Sequence, residues 1–289
     1  MSLKTETFLV EIGTEELPPK ALKKLSEAFA QGIKNGLADA SLNYGGVTIY
    51  AAPRRLAVMI TELQVQQADK IIERKGPAKK AGFDADGNPT KALQGFARGC
   101  GVEVDALIEL ETEKGIWMGY NLEQKGQAAA ELLPDIVSQA LAKLPIPKRM
   151  RWGDSDVEFV RPVHWVLMLL GSEVVPATIL GHKTANTTKG HRFHAPDEIT
   201  ISQPEEYAEK LVKQGYVLAD FAQRSQRIAE QVHAVAGKAG GQAVIDADLL
   251  EEVTALNEWP VAVVGEFDND FLAVPSEALI SAMAGHQKY

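Results

Sequence analysis

The chain has 289 residues, 45% of them hydrophobic and 24% charged, a balance that excludes a disordered polymer and suffices for one large core or two to three smaller ones. Its net charge of −9 excludes nucleic-acid binding by overall attraction, so any RNA contact has to come from local basic patches; a protein-interaction role fits equally well. The single cysteine, Cys100, makes no internal disulfide and points to the cytoplasm; the polar residues 1–7 are no signal peptide, and no apolar run reaches membrane-span length.

In chain order, residues 8–12 read as a buried strand. Pro18 and Pro19 open a helix whose apolar positions Leu22, Leu25, Phe29, Ile33 and Leu37 recur at helical spacing. Two alternating runs, Val47/Ile49/Ala51 and Leu56/Val58/Ile60, flank Pro53-Arg54-Arg55 and predict a hairpin with both arginines near its tip. Residues 61–75 look extended, ending in a turn at Gly76-Pro77; residues 84–88 form another turn, and Thr90 caps a helix running to about Gly99. A second hairpin is expected over residues 107–122, turning at 113–115, and then a helix over 127–143. In the second half, residues 163–170 read as a buried strand with 174–180 pairing beside it, and 183–190 as a polar loop. Helices follow around Tyr207 and Leu211, from Phe221 to Val235 with Gly237 after it, and over 249–256; then come a buried strand at 261–265 and a last helix at 275–285. This predicts an α+β fold with mixed sheets and packed helices in two or three lobes, divided as 1–66, 67–145 and 146–289.

No phosphate loop, dinucleotide fingerprint or nucleophile elbow occurs, so no catalytic residue is assigned. His182, His191 and His194 fall in one stretch, but a structural zinc site needs four ligands and the lone cysteine is far upstream; polar loop histidines and no metal are expected. His164, inside an apolar strand, reads as a core or interface residue. The carboxylate pairs Glu15-Glu16, Asp154/Asp156 and Asp268/Asp270 suit turns and helix starts as well as acid–base work. The basic clusters are Arg54-Arg55, Lys148/Arg149/Arg151 beside Trp152, and Lys70, Arg74, Lys75, Lys79 and Lys80 around Gly76-Pro77. Arginine forks suit phosphate and a neighbouring ring offers a base a stacking face; solvated surface or ion pairing is the other reading.

The segments FLVEIGTEELP (residues 8–18), PRRLA (53–57), KGP (75–77), KRMRWG (148–153), RPVHW (161–165), GHR (190–192), EWP (258–260) and GHQKY (285–289) occur in an order that resembles the β subunit of the bacterial two-subunit glycyl-tRNA synthetase. One departure is Asn257, where an apolar residue is expected before EWP. The family's chain is longer, so HD-type and anticodon-binding domains are expected beyond Tyr289, and the sequence reads as a piece of it, its first three residues partly foreign. The resemblance implies an α2β2 enzyme in which the α subunit holds ATP, glycine and magnesium and performs adenylation and transfer. The β subunit pairs with α and a second β and recognises the glycine tRNA. On its own this region is expected to be inactive. The candidate RNA contacts are Arg54, Arg55, Lys148, Arg149, Arg151 and Arg192. A purely structural α-docking scaffold and an editing-like hydrolase module are the alternatives.

Overall fold

The computed structural model describes residues 4–113 and 115–288. Residues 1–3, Lys114 at the expected 113–115 turn and Tyr289 of the last motif lie outside the described residues. The elements in order are β1 (Thr5–Thr14), α1 (Pro19–Asp39), β2 (Val47–Ala52), β3 (Arg55–Gln64), β4 (Lys70–Ala78), α2 (Lys79–Gly82), α3 (Lys91–Cys100), β5 (Ile108–Thr112), β6 (Gly115–Gln124) and α4 (Ala129–Ala142). Then come β7 (Met150–Arg151), β8 (Glu158–Phe159), β9 (Val163–Leu170), β10 (Glu173–Val174), β11 (Thr178–Ile179), β12 (His182–Ala185), β13 (Thr187–Lys189), β14 (Glu198–Thr200), α5 (Tyr207–Lys213), α6 (Phe221–Lys238), α7 (Ala247–Leu256) and α8 (Ser276–Ile280). The class is α+β with mixed sheets.

The chain forms two compact units, one of residues 1–65 with 129–289 and one of residues 66–128. This corrects the three-lobe division. The stretch 129–145 belongs with the N-terminal strands because α4 packs its apolar face on α1. A Cβ on Gly32 would stand 2.8 Å from that of Ala140, and one on Gly36 2.7 Å from Ile136, so only small residues on α1 let the two helices approach this closely.

In the larger unit the main sheet runs β11-β12-β9-β1-β3-β2, with β10 beside β9. Its pairs are antiparallel except β12 on β9. Residues 8–14 of β1 are buried without interruption, the pattern of a strand covered on both faces. Phe8, Val10 and Ile12 face α1 and α4; Leu9 joins a second core with Tyr50, Ala57, Leu167, Ile201, Tyr207, Leu211 and Val217. That second layer is what the local patterns do not announce.

Several expectations change. Residues 183–190 are not a loop: β12 extends the sheet and β13 pairs with β14. Of 174–180, Val174 and Val175 reach β9, while Thr178 and Ile179 pair with β12. Residues 261–265 form no strand and are exposed apart from half-buried Ala262, Val263 at 83%. The helix α6 continues through Gly237, and the last helix turns from α to π geometry over Ser281–Gln287.

The smaller unit is an antiparallel sheet β4-β6-β5 with α3 packed through Leu93 and Ala97. Thr90 caps α3 by accepting from the Leu93 amide, and Asp84 Oδ1 accepts from the amides of Asp86 and Asn88 to close its turn. Gly76-Pro77 lies within β4 at a register shift rather than ending it, and Gly76 leaves room for the Phe96 ring.

Candidate functional site

Gly13 pairs with Arg55 on one side and Trp165 on the other, so residues 11 and 13 of β1, 55 and 57 of β3 and 165 and 167 of β9 share the second face. A Cβ on Gly13 would fall inside the Trp165 ring; glycine here lets the indole lie flat over the strand. Arg55 is fully buried beside it. Its Nη1 donates to Glu11 Oε1 at 3.0 Å and to Thr188 Oγ1 at 3.2 Å, and Nη2 donates to the Lys189 carbonyl at 2.7 Å. The Thr188 hydroxyl donates to the same Glu11 oxygen, and Glu258 stands 3.6 Å from Nη2. Burial works against the Arg55 charge, but Glu11 and Glu258 outweigh it and hold the guanidinium ionised. Tyr207, also fully buried, closes the layer.

Backbone bonds stitch the strand ends above this network. The Thr14 amide donates to the Arg54 carbonyl, Glu15 to Pro162 and Leu17 to Pro53. On this scaffold Glu15 accepts from Arg192 Nη2 at 2.7 Å and meets His164 Nε2 at 2.9 Å, while Arg192 also reaches Glu16 at 3.0 Å. The Arg192 hydrogen bond is the main cause that holds the Glu15 carboxyl down at about 2, against its partial burial and with help from His164. Arg54 is half-buried, 5.9 Å from the Trp165 ring, and its Nε has no hydrogen-bond partner among the described residues. Burial, and after it the Arg192 charge, pushes its pKa down.

Beside this cluster the loop at 190–195 lies against the turn after α5. The His191 amide donates to the Gly215 carbonyl at 2.7 Å, and a Cβ on Gly190 would stand 2.9 Å from Gly215 Cα. The contact brings together a run of rings: His191 and His194 at 4.5 Å between centroids, His194 and Tyr216 at 5.5 Å, Tyr216 and Trp259 at 5.6 Å. Arg227 of α6 caps the run 4.2 Å over Trp259. The neighbouring buried Arg224 fixes α6 to the sheet by donating to the carbonyls of Ala51, Leu218 and Thr254.

The structure thus gathers Arg54, Arg55 and Arg192, but in different roles. Arg55 is no surface contact: its parity in β3 turns it into the second core, and no phosphate reaches it there. Lys148, Arg149 and Arg151 lie elsewhere and are exposed or nearly so. Arg149 donates to the Ala142 carbonyl at the end of α4, and Arg151 pairs with Asp156 at 3.1 Å. His164 is exposed rather than core, held by Glu15. His182 lies in β12, and among the described residues no three His, Cys, Asp or Glu side chains group as metal ligands. Glu11, Trp165, Tyr216, Arg227 and Glu258 were not singled out from the sequence. The alternation of β1 against β3 is the signal that pairs Glu11 with Arg55; the others depend on residues distant in the chain.

The segments 8–18, 53–57, 161–165, 190–192 and 258–260 therefore meet at one end of the sheet. A family model described as glycyl-tRNA synthetase beta subunit matches residues 8–289. Among similar proteins are the glycine–tRNA ligase beta subunits of Marinobacter nauticus, 56% identical over 99% of this chain, of Hahella chejuensis, 56% over 98%, and of Chromohalobacter salexigens, 54% over 98%. In each case the match covers 41% of the relative's length, so the chain spans about two fifths of the proteins it resembles. With the family model matched from the first core strand to the last residue, the chain belongs to the glycyl-tRNA synthetase beta subunit family.

Proposed function

We propose that this region serves glycine-tRNA recognition and subunit assembly in a cytoplasmic α2β2 glycine–tRNA ligase, with ATP, glycine and magnesium held by the α subunit and none of the chemistry carried here. The observation behind this reading is the gathering of the family-like segments into a rigid cluster of guanidinium groups and rings. Such a scaffold suits holding a polyanion in place, since phosphate contacts position without choosing sequence. Arg54 and Arg192 are the cations of this cluster; Lys148, Arg149 and Arg151 supply a second basic surface. Residues 261–283, with exposed Val261, Val263, Phe271, Leu272 and Ile280, favour a protein contact as well, an apolar stretch of this size being a usual mark of an interface.

The test uses full-length β subunit assembled with α. Replacing Lys148, Arg149 and Arg151 by alanine should weaken glycine-tRNA binding and make the slope of log K against log salt shallower by about one for each phosphate that these side chains neutralise. An unchanged salt slope together with weakened α binding would instead make these residues assembly contacts.

A further inference from the structure

We propose that the ring-bearing face built from Phe193, His194 and Tyr216, buttressed by Trp259 and Arg227, stacks unpaired bases of an RNA strand. The inference rests on the tRNA reading above and adds to it the chemistry of one surface. Phe193 is 82% exposed and Tyr216 43% exposed, so neither ring contributes its burial to the core. Both are nonetheless held in place. His191 Nδ1 accepts from the amides of Phe193 and His194, which fixes the loop that carries them. Tyr216 sits at φ +52°, a left-handed backbone that a bulky residue rarely adopts and that turns its ring outward. The next residue, Val217, is fully buried and locks the turn from below.

The composition of the face selects a base over an aliphatic side chain. Its exposed members are rings and cations, while Val217 beside Tyr216 is buried and Ala195 and Leu218 of the same loops are half-buried. A ring face tolerates any base, and flanking guanidiniums supply the phosphate partners. Arg227 is on hand over Trp259, and Arg192 lies next to Phe193 in the chain. Burial pushes the His191 pKa down; with Nδ1 accepting from the two amides, the neutral ring carries its proton on Nε2 and can donate there.

The test places 2-aminopurine, one position at a time, in the single-stranded parts of glycine tRNA and follows its fluorescence on binding to the full α/β enzyme. Stacking should quench it at one or more positions. Phe193→Ala with Tyr216→Ala should abolish that quenching and weaken tRNA binding about tenfold, the effect of removing one base stack. Tyr216→Phe, which keeps the ring, should preserve both, and a shared melting temperature would separate a loss of stacking from a loss of folding. Quenching that survives the double substitution overturns the proposal. If the Lys148/Arg149/Arg151 variant still flattens the salt slope, the tRNA reading stands without it; if the slope is also unchanged, both fall. Loss of α binding with tRNA signals intact would make the face a protein interface. Relief of quenching by micromolar AMP would make it a free-nucleotide site. Either result overturns the strand proposal.

Discussion

Arg55 illustrates how a charge inside a core is held. Two carboxylates, a hydroxyl and a carbonyl surround it, and its side chain is wholly withdrawn from solvent. Such a pair adds little net stability over a hydrophobic equivalent, yet removing one partner strands the other. Arg55→Ala should therefore cost about 3–5 kcal/mol by leaving Glu11 buried and unpaired, read as a fall in denaturation midpoint; a change within error would mean that the network is not coupled. The carboxylate at the surface behaves differently. The Glu15 carboxyl is held near 2 by Arg192, below its ordinary 4.5, so its contribution is complete above the unfolded value and is lost as pH falls through the folded one. Glu15→Gln should thus destabilise at neutral pH and converge on wild type below about pH 2 in chemical denaturation across pH. The side chain is a third exposed, so the effect should stay below about 1 kcal/mol. Sequence alone showed Arg54-Arg55 as one basic pair. Strand parity separates them: Leu56, Val58 and Ile60 face the helices, which turns Arg55 to the other face. Only the layer around Tyr207 and Leu211 makes that other face a core.

At the scale of elements, strong periodicity was legible. The helices α1, α3, α4 and α7, the first hairpin and β9 fall where their apolar spacing and caps put them. What was hidden depended on partners far along the chain. The residues of β12 and β13 are polar and become strands because β9 and β14 offer backbone partners. The apolar run at 261–265 looks like a buried strand, but no described strand pairs with it. The assignment of α4 turned on Gly32 and Gly36, whose role is visible only once Ala140 and Ile136 press against them. The smaller unit is an insertion whose ends meet: the Ala129 amide donates to the Val65 carbonyl at 2.8 Å. Replacing residues 67–127 by a short Gly/Ser linker should therefore leave the larger unit folded, with a cooperative transition and the tryptophan fluorescence expected of buried Trp165. Loss of cooperativity would show that the larger unit depends on the insertion.

For the whole molecule, the candidate site was legible in part: five of the family-like segments do converge, and Arg54 and Arg192 with them. The ring run was not, because His194, Tyr216 and Trp259 lie in separate segments that meet through the approach of Gly190 to Gly215 and the bond from the Leu218 amide to the Glu258 carbonyl. The central claim is that this end of the larger unit faces glycine tRNA. The most direct measurement is a photo-crosslinking map of the full α/β enzyme bound to glycine tRNA, with crosslinked peptides identified by mass. Adducts are expected at Phe193, Tyr216 or Trp259 and in the segment 148–153, displaced by unlabelled tRNA. Crosslinks that saturate elsewhere in the assembly and leave residues 1–289 unlabelled would contradict it.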